Sequence, residues 1–546
     1  MSISVIIVKT FRHYDPEQVH LLPEDPRTWL PDGHLVFFLD DVVDRLDLSA
    51  ITRPYEAEER GYPPYHPVMM VKILLYAYCV GVFSSIRIMR HLHEDVAFRI
   101  LSGDNQPDFR TVSEFRRRHL AALEGLFDQV LRLCMEAGLV KLGHVSIDGT
   151  KVMANASRHK AMSYGRMKKE LDRLRAEAKA LLAEAERVDT EEDAIYGDKS
   201  GFEMPEALAD PKRRRKIIEE ALAAVRRADA ERAQDAEAEA KGAEEEDKES
   251  TPKDGTPPGG DETSPDAEAE PFTGLNDGEL LEELERRTGR MERILVGKHA
   301  LEERAREKAE GKESGGTPPG AGVEASGQNS LPEGETSEER ADGAQGHPMP
   351  EDKDQYNFTD PESRIMPDSG NKKAFIQGYN GLLVADEENQ IIVATGVVPT
   401  SADCPQLPDM MDRMEEALGK RPKKLSGDTG FYSERNVDYL RQRGIDAYIP
   451  PEKQKHAYMA PKAPRGRIPN GLSQPDRMRR KLRTKAGRKV YSRRKVIVEP
   501  PIGQIKQARG FRRFSMRGQE KARGEWAIVG MTHNILRWHA VVGRVG

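Results

Sequence analysis

Residues 158–358 constrain this chain more than any other feature. They hold 51 Asp and Glu against 32 Lys and Arg, a net of −19, with few apolar residues between them. A segment of that composition cannot bury enough apolar surface to offset the entropy of ordering it as a globular domain. The other 345 of the 546 residues must therefore fold around it. Residues 451–524 carry the opposite bias, 23 Lys and Arg against 4 Asp and Glu, a net of +19. The overall charge of −7 thus conceals an acidic and a basic block, and the mild pI says nothing against a polyanionic partner.

Other classes fall away quickly. The longest apolar stretch, Val68 to Val82, is interrupted by Lys72 and is too short to span a bilayer. The N-terminal run MSISVIIVKTF has no basic region before it and no small-residue cleavage site. Cys79, Cys134 and Cys404 lie far apart, so neither a disulfide framework nor a cysteine zinc site is expected. A cytoplasmic, nucleoid-associated protein is expected, with no membrane partner.

Residues 1–64 are rich in turn formers. Residues 65–138 read as helical: HPVMMVKILLYAYCVGV with Pro67 near its start, then SSIRIMRHLHEDVAFRIL, then DFRTVSEFRRRHLAALEGLFDQVLRLCMEAG. Thr111 and Glu114 have capping-box spacing, and Gly138 is a natural stop. Residues 139–157 supply a strand with Asp148-Gly149 at its end. Within 158–358, residues 160–187, 212–247 and about 278–310 read as charged helices, with Leu171, Leu174 and Leu181 as a thin apolar seam. Residues 248–274 and 312–350 read as unstructured.

Residues 359–546 return to strand and helix. Two strands lie in 372–399 with a turn near Asp386–Asn389, followed by a helix over 405–419. A strand ends at Asp428, a helix stops at Gly444, IDAYIP is a strand, and a closing helix follows the basic block. The order is three strands in meander, the first cut off by the charged segment, then alternating strand and helix. That order predicts an α/β ribonuclease-H-like catalytic domain with a mixed sheet, preceded by an all-helical N-terminal domain and interrupted by a long charged helical and disordered insertion.

Two predicted strands end in an acidic residue beside glycine, SIDGT at Asp148 and SGDTG at Asp428. Such residues are ordinary turn chemistry singly. Paired on neighbouring strands, they aim two carboxylates into the crevice where open sheets bind ligands. Glu499 is the one acidic residue between Asp476 and Glu520, which suggests a third ligand, with Pro500-Pro501 placing it at a helix start. Three carboxylates without histidine or cysteine suit two Mg2+ ions in phosphodiester chemistry, with Mn2+ substituting. The nearby His144 reads as structural, and Trp526 and Trp538 as core residues.

YHPVMMVKILLYAYCVGVFSSIRI, PDFRTVSEFRRRHL, SIDGTKVMANAS, LSGDTGFYSERN and YSRRKVIVEPPIGQIK occur in this order. In these stretches the sequence resembles bacterial insertion-sequence transposases of the DDE class, in the branch with a Tyr-Arg-Glu-Lys signature. The resemblance implies Asp148, Asp428 and Glu499 as catalytic, metal-holding residues, and Tyr491, Arg494 and Lys506 as signature residues on DNA. The Arg-to-Glu gap is one residue longer than usual, so Lys495 shares the arginine's candidacy. It also implies double-stranded DNA partners, both terminal inverted repeats and target DNA, and a homodimer on that DNA. Arg116 and Arg117, with Arg110 and Arg118, are expected to face DNA from the N-terminal helices. In the basic block, Arg477, Arg479, Arg480 and Lys481 are expected on a loop that contacts phosphates. The alternatives are a metal-dependent nuclease without strand transfer and an inactive, transposase-derived DNA-binding protein.

Overall fold

The computed structural model describes residues 25–56, 63–196, 216–232, 277–313, 349–368, 374–452, 463–466, 469 and 471–545. The stretch 248–274, nearly all of 312–350, and the ends of the helix expected over 212–247 lie outside the described residues.

Among the described residues seven α-helices precede the sheet: α1 (Leu35–Asp44), α2 (Ser49–Glu56), α3 (Pro67–Cys79), α4 (Ser85–Glu94), α5 (Val96–Ser102), α6 (Phe109–Arg118) and α7 (Leu120–Glu136). Local chemistry breaks two of the expected helices. Asp95 is extended and accepts from the backbone N–H groups of Ala97 and Phe98, which ends α4 and starts α5. The turn at His119 separates α6 from α7. The cap of α6 is Asp108, which accepts from Arg110 N, rather than the Thr111 and Glu114 pair. Gly81 and Gly138 hold the left-handed conformations expected of helix stops.

The strand β1 (Val145–Met153) opens the sheet. The chain then leaves it through β2 (Ala161–Ser163), α8 (Tyr164–Tyr196), a helix α9 over residues 216–232, α10 (Asp277–Glu313) and β3 (Gln355–Asn357). β2 and β3 pair antiparallel and close this excursion at its base. Its helices pack on their own core, in which Leu171, Leu174 and Leu181 are buried with Leu284 and Met291.

The chain re-enters the sheet with β4 (Arg364–Pro367), β5 (Phe375–Asp386) and β6 (Ile392–Val398). It continues with α11 (Leu407–Leu418), β7 (Lys424–Ser426), α12 (Glu434–Gln442) and β8 (Asp446–Tyr448). β5 is central and nearly all buried, which explains its GLLVA run. It pairs antiparallel with β1 on one edge and with β4 and β6 in succession on the other. β1, β7 and β8 follow in parallel. The path β6-β5-β1-β7-β8, antiparallel then parallel, is consistent with a ribonuclease-H-like sheet. α13 (Gln474–Arg483), α14 (Lys485–Gly503), a wide π segment (Gln504–Ala508) and α15 (Gln519–Val545) complete the chain.

α15 joins the two halves. Its Trp526 donates to Leu382 O of β5 at 2.8 Å, and its Glu525 accepts from Tyr78 of α3 at 2.7 Å. One apolar core runs from Val36 through the sheet to Trp538. Trp526 and Trp538 are core residues, as expected. No described helix is long and apolar enough to cross a membrane.

Candidate active site

Asp148 lies in the middle of β1, not at its end, because β1 runs five residues further along β5. Asp428 does follow the end of β7, where its carboxylate accepts from Gly430 N at 2.9 Å and caps a short turn. β1 and β7 are parallel neighbours, so residues 280 positions apart share one crevice. Burial pushes Asp148 up to about 6; Arg494 opposes this and the nearby Asp428 adds to it. Arg494, on α14, donates to Asp148 at 3.1 Å. Lys495, one residue on, is exposed. Tyr491, one turn before, is pushed up by burial, with Arg494, Asp428 and Asp148 all in its field.

Lys506 reaches the same strand from the π segment. Its Nζ donates to Thr150 Oγ1 at 3.0 Å and Lys151 O at 2.9 Å. Thr150 shares Asp148's face of β1 through the two-residue period of a strand.

Glu499 is not at a helix start. α14 continues through Pro500 and Pro501, so Glu499 sits in a helix interior, exposed and one residue beyond the buried Val498. A side chain from elsewhere in the chain lets the helix pass through the double proline. Pro500 has no N–H for the carbonyl four residues back, Val496 O, and Gln390 Nε2 donates to that oxygen instead at 2.9 Å. Gln504 N still donates to Pro500 O and Pro501 O, and the turn after it widens to π, with Arg509 N bonded to Gln504 O. The structure brings Asp148, Asp428, Arg494 and Tyr491 together; among the described residues, no hydrogen bond or ion pair holds the Glu499 carboxylate.

Among the expected DNA contacts, Arg116 requires correction. It is 5% exposed and donates to Tyr78 OH at 3.2 Å, Phe83 O at 2.8 Å and Ser85 Oγ at 3.3 Å, so it braces helices and offers nothing to solvent. Arg117 is exposed and paired with Glu114. Arg110 and Arg118 are exposed, with Arg118 lying over the Tyr55 ring. Arg477, Arg479, Arg480 and Lys481 lie on α13 rather than a loop. Ser473 caps this helix and Pro475 fits its first turn. Arg477 is exposed, and Arg480 donates to Arg465 O. Arg479 pairs with Glu452 and Asp476, and Lys481 with Asp446 while lying over Tyr448.

Three features escaped sequence reasoning. Asp403, in SADC, belongs to no Asp-Gly motif, yet its carboxylate lies beside both Gly149 and Gly430. Lys151 stands in the combined field of Asp403, Asp428 and Asp148. A groove of about 560 Å3 opens where β1 ends, with Arg158, His159, Lys160, Arg513 and Arg517 and no carboxylate in its lining. His144 bridges Glu387 and Ser426 and is structural, as expected.

A second acidic group, Glu231, His299 and Glu302, lies on α9 and α10. The buried Lys298 ammonium reaches Glu231 at 2.8 Å and Glu302 at 2.7 Å, so those carboxylates already hold a cation. The crevice on the sheet also offers donors of the kind that a hard divalent ion takes. Its donors are carboxylate oxygens, and the fully buried Asn380 beside them has an Oδ1 without a hydrogen-bond partner.

Residues 24–118 match the family model described as Transposase domain (DUF772), and residues 344–535 match the one described as Transposase DDE domain. The two matches support a DDE-type insertion-sequence transposase, and the second implies divalent-metal use. No curated protein and no solved structure matches the chain.

Proposed function

We propose that the chain is a transposase that binds the terminal inverted repeats of its own element, as a homodimer on DNA, and carries out metal-dependent strand cleavage and strand transfer. The observation that carries this reading is the meeting of Asp148 and Asp428 on adjacent parallel strands, with Arg494 of α14 seated on Asp148. Asp148, Asp428 and Glu499 would hold Mg2+, or Mn2+ in its place. Bound there, the ions stabilise the attacking and leaving oxygens of a phosphodiester.

The chain's own residues do the remaining work. Arg494 neutralises Asp148 until the centre is loaded, since a buried carboxylate without a countercharge is costly. Lys506 spends two N–H groups on Thr150 and Lys151 and has a third for a phosphate oxygen. The basic groove at the end of β1 offers the polyanion cationic side chains beyond the carboxylates.

The test uses the full chain and a duplex carrying the element's terminal repeat, with Mg2+ or Mn2+. Asp148→Asn, Asp428→Asn and Glu499→Gln are each expected to abolish cleavage while retaining DNA binding. Cleavage by Asp148→Asn at the wild-type rate would overturn the proposal. Joining of a pre-cut 3′ end to target DNA separates a transposase from a plain nuclease.

A further inference from the structure

Asp403 follows β6 and occupies the N-cap position of a short turn, Cys404–Gln406. An aspartate there ordinarily accepts from an N–H of the turn it starts. This one makes no such bond. Its carboxylate points back over the sheet, where one oxygen accepts from Asn380 Nδ2 at 2.6 Å.

Two glycines make room for it. A Cβ on Gly149, the residue after Asp148, would stand 2.9 Å from that same Asp403 oxygen and 2.9 Å from Asn380 Oδ1. A Cβ on Gly430 would stand 3.0 Å from the other Asp403 oxygen and 3.0 Å from Asp428 Oδ1. The Asp403 carboxylate therefore spans the distance from the catalytic strand to the Asp428 turn, and any side chain at either glycine would crowd it.

Asn380 supplies an independent observation. It is fully buried on β5, directly across from Lys151, and its Oδ1 has no hydrogen-bond partner although it faces the Gly149 backbone. A buried amide oxygen left unpaired is costly, and native structures tolerate such groups where something else completes them. A hydrated divalent cation beside the Asp403 carboxylate is a suitable complement, because Mg2+ and Mn2+ take oxygen donors and Mg2+ retains water.

Charge points the same way. Lys151 shares Gly149's face of β1 and stands before both Asp403 and Asp428, one ammonium for two carboxylates. Of Asp403, Asp428 and Asp148, it feels Asp403 most strongly.

We propose that Asp403 is a fourth acidic residue of the active site, which holds a divalent cation together with Asp428 on the Gly149 side of β1. This rests on the metal-dependent reading above. In the metal-free protein the Lys151 ammonium stands in for that cation, and loading displaces it.

The experiment measures Mn2+ binding to the full chain without DNA, by electron paramagnetic resonance of the free ion, for wild type and single variants. Asp403→Asn keeps the bond to Asn380 and loses the charge. It is expected to weaken Mn2+ binding about tenfold or more, with the metal-free urea midpoint unchanged or raised. Lys151→Met is expected to act in the opposite direction, tightening Mn2+ binding by removing the competing ammonium. If Asp403 served only to anchor Lys151, the two variants would shift Mn2+ affinity alike or not at all, and the proposal would fail. Wild-type affinity in Asp403→Asn beside a large loss in Asp428→Asn would overturn the role of Asp403 and leave the two-aspartate centre standing. Wild-type affinity in both Asp148→Asn and Asp428→Asn would overturn the centre itself.

Discussion

His533 offers a quantitative test of how the helix bearing Arg494 and Glu499 is braced. It is 1% exposed on α15, with one ring nitrogen 2.9 Å from the Gln504 side-chain amide and the other 3.0 Å from Gln390 O; a neutral ring donates to Gln390 O and accepts from the amide NH2 of Gln504. Gln504 begins the π segment that carries Lys506, and Gln390 covers the carbonyl freed by Pro500, so His533 ties both irregularities to the core. Burial, with Arg509 adding to it, pushes its pKa down from 6.5 to about 3. The sign follows from linkage. Below pH 6.5 the unfolded chain binds a proton that the folded chain refuses, so stability is full above 6.5 and is lost as pH falls toward 3. From 6.5 to pH 5 the loss runs at about 1.4 kcal/mol per pH unit, or about 2 kcal/mol in all. That figure barely depends on the folded value so long as it lies well below 5. The assay is urea unfolding at pH 7 and pH 5, followed by fluorescence of the buried Trp526 and Trp538. His533→Gln keeps a donor and an acceptor without titrating in this range. Wild type is expected to lose about 2 kcal/mol more than this variant between the two pH values. Parallel losses would refute the assignment of His533 as a buried neutral brace.

Three further outcomes are expected. Gln390→Ala is expected to cost about 1 kcal/mol in the wild type and much less on a Pro500→Ala background, where the restored N–H takes Val496 O; a double-mutant cycle showing no coupling would contradict this. Glu525→Ala is expected to destabilise by about 3–5 kcal/mol, because it strands the buried Arg116 and frees Ser515 and Tyr78, and a stable variant deficient only in cleavage would argue for a catalytic Glu525 instead. Arg477→Ala is expected to flatten the slope of log DNA affinity against log salt by up to about 0.9, and Arg479→Ala by less since Arg479 is already paired with carboxylates; equal slopes would remove α13 from the DNA path.

What the sequence disclosed follows from which signals are local. The adjacency of the strands that carry Asp148 and Asp428 was legible, because apolar runs and the charged segment lie in short windows, although Asp148-Gly149 is not the strand end it suggests. The course of α14 was not. Pro500-Pro501 signals a helix start by the usual rule, and only the distant Gln390 lets the helix pass through. Arg116 and Arg117 are neighbours of identical type, and only tertiary packing sends one inward to Tyr78 and the other out to Glu114. Asp403 was hidden for the same reason: its importance lies in two glycines some 250 and 30 residues away, which no local window relates to it.

The position of α15 bears on how the protein comes into being. Tyr78 of α3 finds its carboxylate, Glu525, only on this last helix, and Leu120 of α7 packs against Gly524. α7 ends at Glu136 and α15 begins at Gln519. At about 5–20 residues per second, synthesis of the intervening chain takes roughly 20 to 75 seconds. Through that interval the sides of α3 and α7 that α15 covers lack that partner, whereas β5 and β7, which flank β1, are made earlier. A chain interrupted before Gln519 therefore lacks the helix that joins the N-terminal helices to the sheet.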